Sequence, residues 1–120
     1  MPPEKRDPAY LWDMLEAARN VRDMSRNATF DEYLRNLMLR LAVERAIEII
    51  GEAARHVSLQ FQQAHPEIPW KPIMGQRHVL AHDYGDIDDV SIWNVVTVDI
   101  PRLIARLEPL IPPLPPSVDE

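Results

Sequence analysis

The sequence predicts an all-α fold, an antiparallel helical bundle of about four main helices. Three observations carry this. No proline falls between Pro8 and Pro66, so a long window is free to be helical. Apolar residues recur at helical spacing through that window. No strand pattern competes, because Trp93–Ile100 is β-prone but has no strand partner elsewhere.

The elements follow from the N-terminus. Residues 1–7 form an extension, 8–110 the helical domain, and 111–120 a proline-rich tail expected to be extended and mobile. Asp7 can cap a first helix from about Pro8 to Arg26, with Pro8 at its first position. Tyr10, Leu11, Met14, Leu15, Ala18, Val21 and Met24 make its apolar face. Arg19, Arg22 and Arg26 make a basic stripe, read as a solvated face. A break is expected near Asn27–Asp31.

The second helix starts after Thr29 and can continue to Gln62. Unbroken, it would be about 48 Å long, against a domain only about 35 Å across. It must therefore bend near Gly51 or pack partly against a second subunit. Leu34, Leu37, Met38 and Leu41 form one apolar stripe, and Leu39, Val43, Ala46, Ile50, Ala53 and Val57 a second. Two apolar faces call for two partners, so a homodimer is expected. A third helix is expected over roughly Lys71–Tyr84, ended by Gly85. Asp86–Asp89 supplies a loop and an N-cap for a fourth, from about Asp89 to Leu107, kinked at Pro101.

Composition narrows the chemistry. There is no cysteine, which removes thiolate metal sites, thiol nucleophiles and disulfides. A reducing cytoplasm fits this usage. No apolar run approaches the roughly 20 residues of a membrane span, and the first residues do not read as a signal peptide. Net charge is −6, so duplex binding by global charge is disfavoured. Eleven arginines against two lysines still permit local anion sites.

The residues suited to chemistry gather in Arg77, His78, His82, Asp83 and Tyr84. Arg77 can hold a phosphate and stabilise charge developing on it. His82 can move a proton near neutral pH, and Tyr84 offers a hydroxyl. His78 and His82 stand four apart, but without a third ligand a metal site is weak. The same grouping could instead be surface side chains held by local hydrogen bonds. Glu44, Glu48 and Glu52 repeat every four residues. They read as a charged solvated face offset by Arg40, Arg45 and Arg55, or as a source of support, with Glu44 or Glu48 pairing with Arg77 or orienting His82.

The pattern Arg77-x-x-x-x-His82-x-Tyr84 resembles that of HepT-like toxins of the HEPN superfamily. Glu44–Ala54, Ile68-Pro-Trp70, Trp93 and Pro101 agree with it, over most of residues 8–110. The resemblance implies a helical homodimer with a metal-independent endoribonuclease site near its cleft, formed by Arg77 and His82, and no cofactor. It also implies a type VII toxin–antitoxin pair, whose MntA-type nucleotidyltransferase antitoxin transfers AMP to Tyr84. The residue after the motif arginine is commonly asparagine in that family and is His78 here. RNA cleavage without a metal needs a base, an acid and a cation. A two-fold dimer could supply a histidine and an arginine from each chain, and His78 is an alternative second proton carrier. A non-catalytic dimer that only docks and is modified by the nucleotidyltransferase, or a nucleotide-binding regulatory bundle, would use the same residues differently.

Overall fold

Helix follows helix through the described chain, and no strand interrupts them. The structure, a computed structural model, describes the backbone of residues 3–81 and 88–111 and the side chains of 6–75 and 88–111. The expected tail beyond Ile111 lies outside the described residues. Helix α1 spans Pro3–Met24, α2 Phe30–Arg35, α3 Leu37–His56, α4 Leu59–Ala64, α5 Trp70–Ala81, α6 Asp89–Asn94 and α7 Ile100–Leu107. A π-helical stretch, Val95–Asp99, joins α6 to α7, and a 3₁₀ turn, Glu108–Leu110, follows.

Helix α1 begins earlier than the sequence suggests, at Pro3, and carries Pro8 inside it. Asp7 is therefore not its cap. Its carboxylate is buried, 4% exposed, and accepts the Ser58 N–H at 2.9 Å and the Ser58 Oγ–H at 2.6 Å. Ser58 Oγ in turn accepts the Phe61 N–H at 3.1 Å and so caps α4. Leu11, Met14, Leu15, Ala18 and Val21 are buried as their spacing requires, whereas Tyr10 is half-buried and Met24 exposed. Asn27, at φ 65°, ends the helical run in the left-handed conformation asparagine tolerates.

The long second helix is three helices. A 48 Å rod would exceed even the longest molecular extent, 43 Å. The breaks fall at Asn36 and at Val57–Ser58, not at Gly51, which lies buried within α3. Polar side chains explain both. Asn36 Oδ1 accepts the Leu39 N–H at 3.0 Å, and Ser58 restarts the chain as α4. Thr29 and Glu32 close a capping box at the start of α2.

Pro101 gives a wide turn in place of a simple kink. Proline lacks an N–H and its ring collides with the carbonyl four residues back. The chain widens beforehand, and the Ile100 N–H bonds to the Val95 carbonyl, five residues back.

The core lies between α1, α3, α5 and α7. Val43, Ala46, Ile50, Ala53 and Val57 are buried, with Leu39 half-buried beside them. The other stripe stays out: Leu37 is 58%, Met38 82% and Leu41 56% exposed, with Leu34 at the margin. Of the basic stripe, Arg19 pairs with Glu108 at 2.7 Å, while Arg22 and Arg26 both pair with Asp23. No described helix is long and apolar enough to cross a membrane.

Candidate functional site

Helices α3 and α5 pack against each other, and both carry residues that the sequence singles out. Ile47 and Ile50 of α3 line one groove of about 310 Å³ with Pro69, Pro72 and Ile73 at the start of α5. The middle of α3 thus meets the start of α5, and the two helices pack against each other. Three residues back from Ile47 is Glu44, and four on from Ile73 is Arg77. Glu44 thus lies about 4.5 Å from Ile47 along α3, and position 77 about 6 Å from Ile73 along α5. Trp70 fixes the start of α5: its ring is buried, and its Nε1–H donates to the His65 carbonyl at 3.0 Å.

Arg77 and His78 sit on the α5 backbone. Their side chains lie outside the described residues, as do His82, Asp83 and Tyr84 altogether. Glu44 and Glu48 are described, and they differ. Glu48 pairs with Arg45 at 3.5 Å. Glu52 pairs with His56 at 3.1 Å and Arg55 at 3.9 Å, and His56 also stacks on Tyr10. That part of the ladder is the solvated charged face. Arg40 does not join it and turns instead to Asp89, across to α6.

Glu44 forms no ion pair with any described side chain and is half-buried. Burial first, then the negative charge of Asp89, holds its carboxyl above the usual carboxylate range; Arg40 pulls the other way and Glu48 pushes it up. Near enough to feel its charge is Tyr33 of α2, fully buried, its ring tilted on Trp93 of α6 at 5.1 Å. The Tyr33 hydroxyl has no hydrogen-bond partner among the described residues, and neither does the buried Nε of Arg40. Burial, with Asp89 and Glu44 nearby, pushes the Tyr33 hydroxyl well above the ordinary phenol range, so it stays a protonated donor.

Tyr33, Arg40, Glu44 and Asp89 thus form one polar cluster at the α2–α3–α6 junction. Among the described residues it holds two unmatched donors and a carboxyl reluctant to ionise. Each unsatisfied buried group costs about 1–3 kcal/mol, which a purely structural network would avoid by closing its bonds. Sequence reasoning missed Tyr33 and Asp89 as members, and gave Arg40 only a balancing role. The available signal was the Arg40–Glu44 spacing of four. Among the described residues no three His, Asp or Glu side chains stand close enough to hold a metal ion.

Comparison with known proteins places the chain. The family model described as ribonuclease HepT-like matches residues 14–110. The chain belongs to the HepT-like family. It is 40% identical over 105 residues to "Putative RNase MJ1380" of Methanocaldococcus jannaschii, covering 87% of this chain and 96% of that protein. It is 38% identical over 101 residues to "Probable ribonuclease HepT" of Thermococcus cleftensis, covering 84% and 92%. No solved structure matches the chain. The HepT-like match spans α3, α5 and residues 77–84 of the sequence.

Proposed function

We propose that this chain is the toxin subunit of a type VII toxin–antitoxin pair, an endoribonuclease that cuts RNA without a metal. The observation that carries the reading is Arg77-x-x-x-x-His82-x-Tyr84 inside a HepT-like match over residues 14–110. Arg77 supplies the cation for the phosphate and for charge building on it. His82 supplies a proton-transfer group near neutral pH. Asp83 and His78 flank them, and Glu44 supports the site from α3. The exposed stripe of Leu37, Met38 and Leu41 is the homodimer face. It places two copies of the motif in one assembly, in the cytoplasm where the RNA is found.

Control is proposed at Tyr84. An MntA-type nucleotidyltransferase transfers AMP to its hydroxyl, adding a phosphodiester charge that competes for Arg77 and an adenosine that fills the cleft.

The test is purified, unmodified chain incubated with total RNA and a chelator. Cleavage with 2′,3′-cyclic phosphate ends is expected, lost in both Arg77→Ala and His82→Ala while circular dichroism stays helical. Removing one group that stabilises transition-state charge lowers the rate roughly 100- to 1,000-fold. Intact RNA with the wild-type chain would leave the non-catalytic docking role. Co-expression with the nucleotidyltransferase should add AMP mass to the Tyr84 peptide; an adduct on Tyr10 or Tyr33 instead would sink that mechanism.

A further inference from the structure

The described arginines are not used alike. Seven of the ten with described side chains, from Arg19 to Arg55, are in ion pairs. Of the other three, Arg102 and Arg106 stand together on α7. Both are exposed and form no ion pair among the described side chains, although Glu67 is near enough to Arg106 to feel its charge. Both line the groove of about 310 Å³ between α3, the start of α5 and α7. We propose that this groove is an RNA-binding subsite that seats one unpaired nucleotide, its base on the apolar floor and its flanking phosphates on Arg102 and Arg106. The choice of ligand rests on the ribonuclease reading above.

Three observations carry it. The first is charge. The chain has a net charge of −6, yet here two guanidinium groups without ion pairs stand one helical turn apart. Their separation along the axis, about 6 Å, suits successive phosphates of one strand. The second is shape. Ile73, Ile100 and Leu103 give the groove an apolar floor, and Pro69 and Pro72 stand exposed at its edge. A volume of about 310 Å³ takes one base with its ribose. A docked amphipathic helix would need anchor side chains over two turns and a longer trough. The third is the backbone. Val95 and Asp99, the first and last residues of the π-helical stretch, also line the groove. Such widened turns occur often at functional sites. The exposed Asp99 carboxylate can accept a hydrogen bond from the exocyclic amine of a base, a discrimination that phosphate contacts cannot supply.

All the lining residues are described, and the groove needs no motif side chain to form. Its role is to hold the strand, not to break it. Arg102 and Arg106 take phosphates and move no proton, so losing them weakens the grip on RNA and leaves the chemistry of the cut as it was. Because the contacts are to phosphates of a single strand, their strength falls steeply with salt.

The test separates holding from cutting. Fluorescein-labelled homopolymers of A, C and U, about 12 nucleotides long and 2′-O-methylated to block cleavage, are titrated by anisotropy across a range of about 50 to 300 mM KCl. The proteins are wild type, Arg102→Gln, Arg106→Gln, the two together, and Asp99→Asn. Arg22→Gln with Arg26→Gln, an equal charge change on α1 at arginines already paired with Asp23, is the control. All these side chains are exposed, and circular dichroism checks that each variant stays helical. Each groove arginine lost should weaken binding and flatten the plot of log K against log salt by about 0.7, and the double variant by about 1.4. The control should leave affinity and slope as in wild type. Asp99→Asn should keep the slope and change the order of preference among the three bases. Equal affinity and slope in wild type and the double groove variant overturn the proposal and leave the groove to a protein partner. An equal loss in the control reports overall charge and overturns it as well. Cleavage of total RNA by wild type is scored separately. If it persists in either of those cases, the ribonuclease reading stands without the groove. If wild type cuts no RNA, that reading falls and the slopes alone decide the groove.

Discussion

Arg40 Nη1 stands 3.9 Å from Asp89 Oδ2, joining the first turn of α3 to the first residue of α6. The contact is long, and the Nε of the same guanidinium is buried without a partner among the described residues. The pair therefore marks an imperfectly matched polar junction, not a strong brace. Next to it the Tyr33 hydroxyl is also unmatched, although its ring is well placed on Trp93.

That junction predicts an unusual substitution. Tyr33→Phe keeps the buried ring and removes a hydroxyl that has no partner among the described residues, so it should leave stability unchanged or raise it by about 1 kcal/mol. Tyr33→Ala empties the site and should destabilise by about 3–5 kcal/mol. Urea unfolding of the two variants checks this. A Phe variant less stable than wild type by more than about 1 kcal/mol would mean that the hydroxyl is satisfied in solution.

Asp7 makes the opposite case. Its carboxylate accepts two hydrogen bonds from Ser58 over a separation of 51 residues and is almost wholly buried. Asp7→Ala should cost about 1–3 kcal/mol by leaving the Ser58 donors unmatched. Asp31→Ala removes only the exposed pair with Arg35 and should cost less than about 1 kcal/mol. Equal melting temperatures for the two variants would contradict this assignment.

These two residues also show what the sequence could and could not tell. Helical spacing identified most of the buried faces of α1 and α3, with Tyr10 and Leu39 only half-buried and Met24 exposed, because one stripe per helix must find the core whatever the loops do. The ends were harder. Asp7 before Pro8 has the form of a cap, and only tertiary packing, with Ser58 brought alongside, makes it an inter-helix tether. Asn36 and Ser58 break a helix that propensity alone would continue, because their side chains bond backbone N–H groups ahead of them. The Arg77-x-x-x-x-His82-x-Tyr84 pattern is read from the sequence by family likeness, and its side chains lie outside the described residues. The Tyr33–Asp89 side of the cluster was not legible, since its ends lie far apart in the chain and only the fold brings α2 and α6 together.

The exposed stripe predicts the assembly. Met38 and Leu41 are 82% and 56% exposed on a helix whose other face is buried in the core. A homodimer through this face would be split by Met38→Glu with Leu41→Glu, at little cost to the protomer, because neither side chain is buried in it. Light scattering should show the wild type near twice 13.9 kDa and the double variant near 13.9 kDa. A wild-type mass of one chain at micromolar concentration would count against the dimer.

Glu44 makes the last prediction, and it concerns stability. Its carboxyl is raised in the folded state by burial and by Asp89. A raised carboxyl holds its proton in the folded chain where the unfolded chain has already lost it. Its contribution to stability is therefore full below the unfolded pKa and is lost as pH rises through the folded one. Glu44→Gln mimics the protonated form at every pH. The variant should melt with the wild type at acidic pH and above it at neutral pH, the gap opening as pH rises through the folded carboxyl's pKa. Asp89→Asn removes one cause of the shift. Introduced into both the wild type and the Glu44→Gln variant, it should narrow the gap between them. Melting curves recorded from pH 3.5 to 8 test the sign directly. A Glu44→Gln variant less stable than wild type at neutral pH would show that Glu44 gains a favourable partner in solution, and would assign it to bracing the bundle.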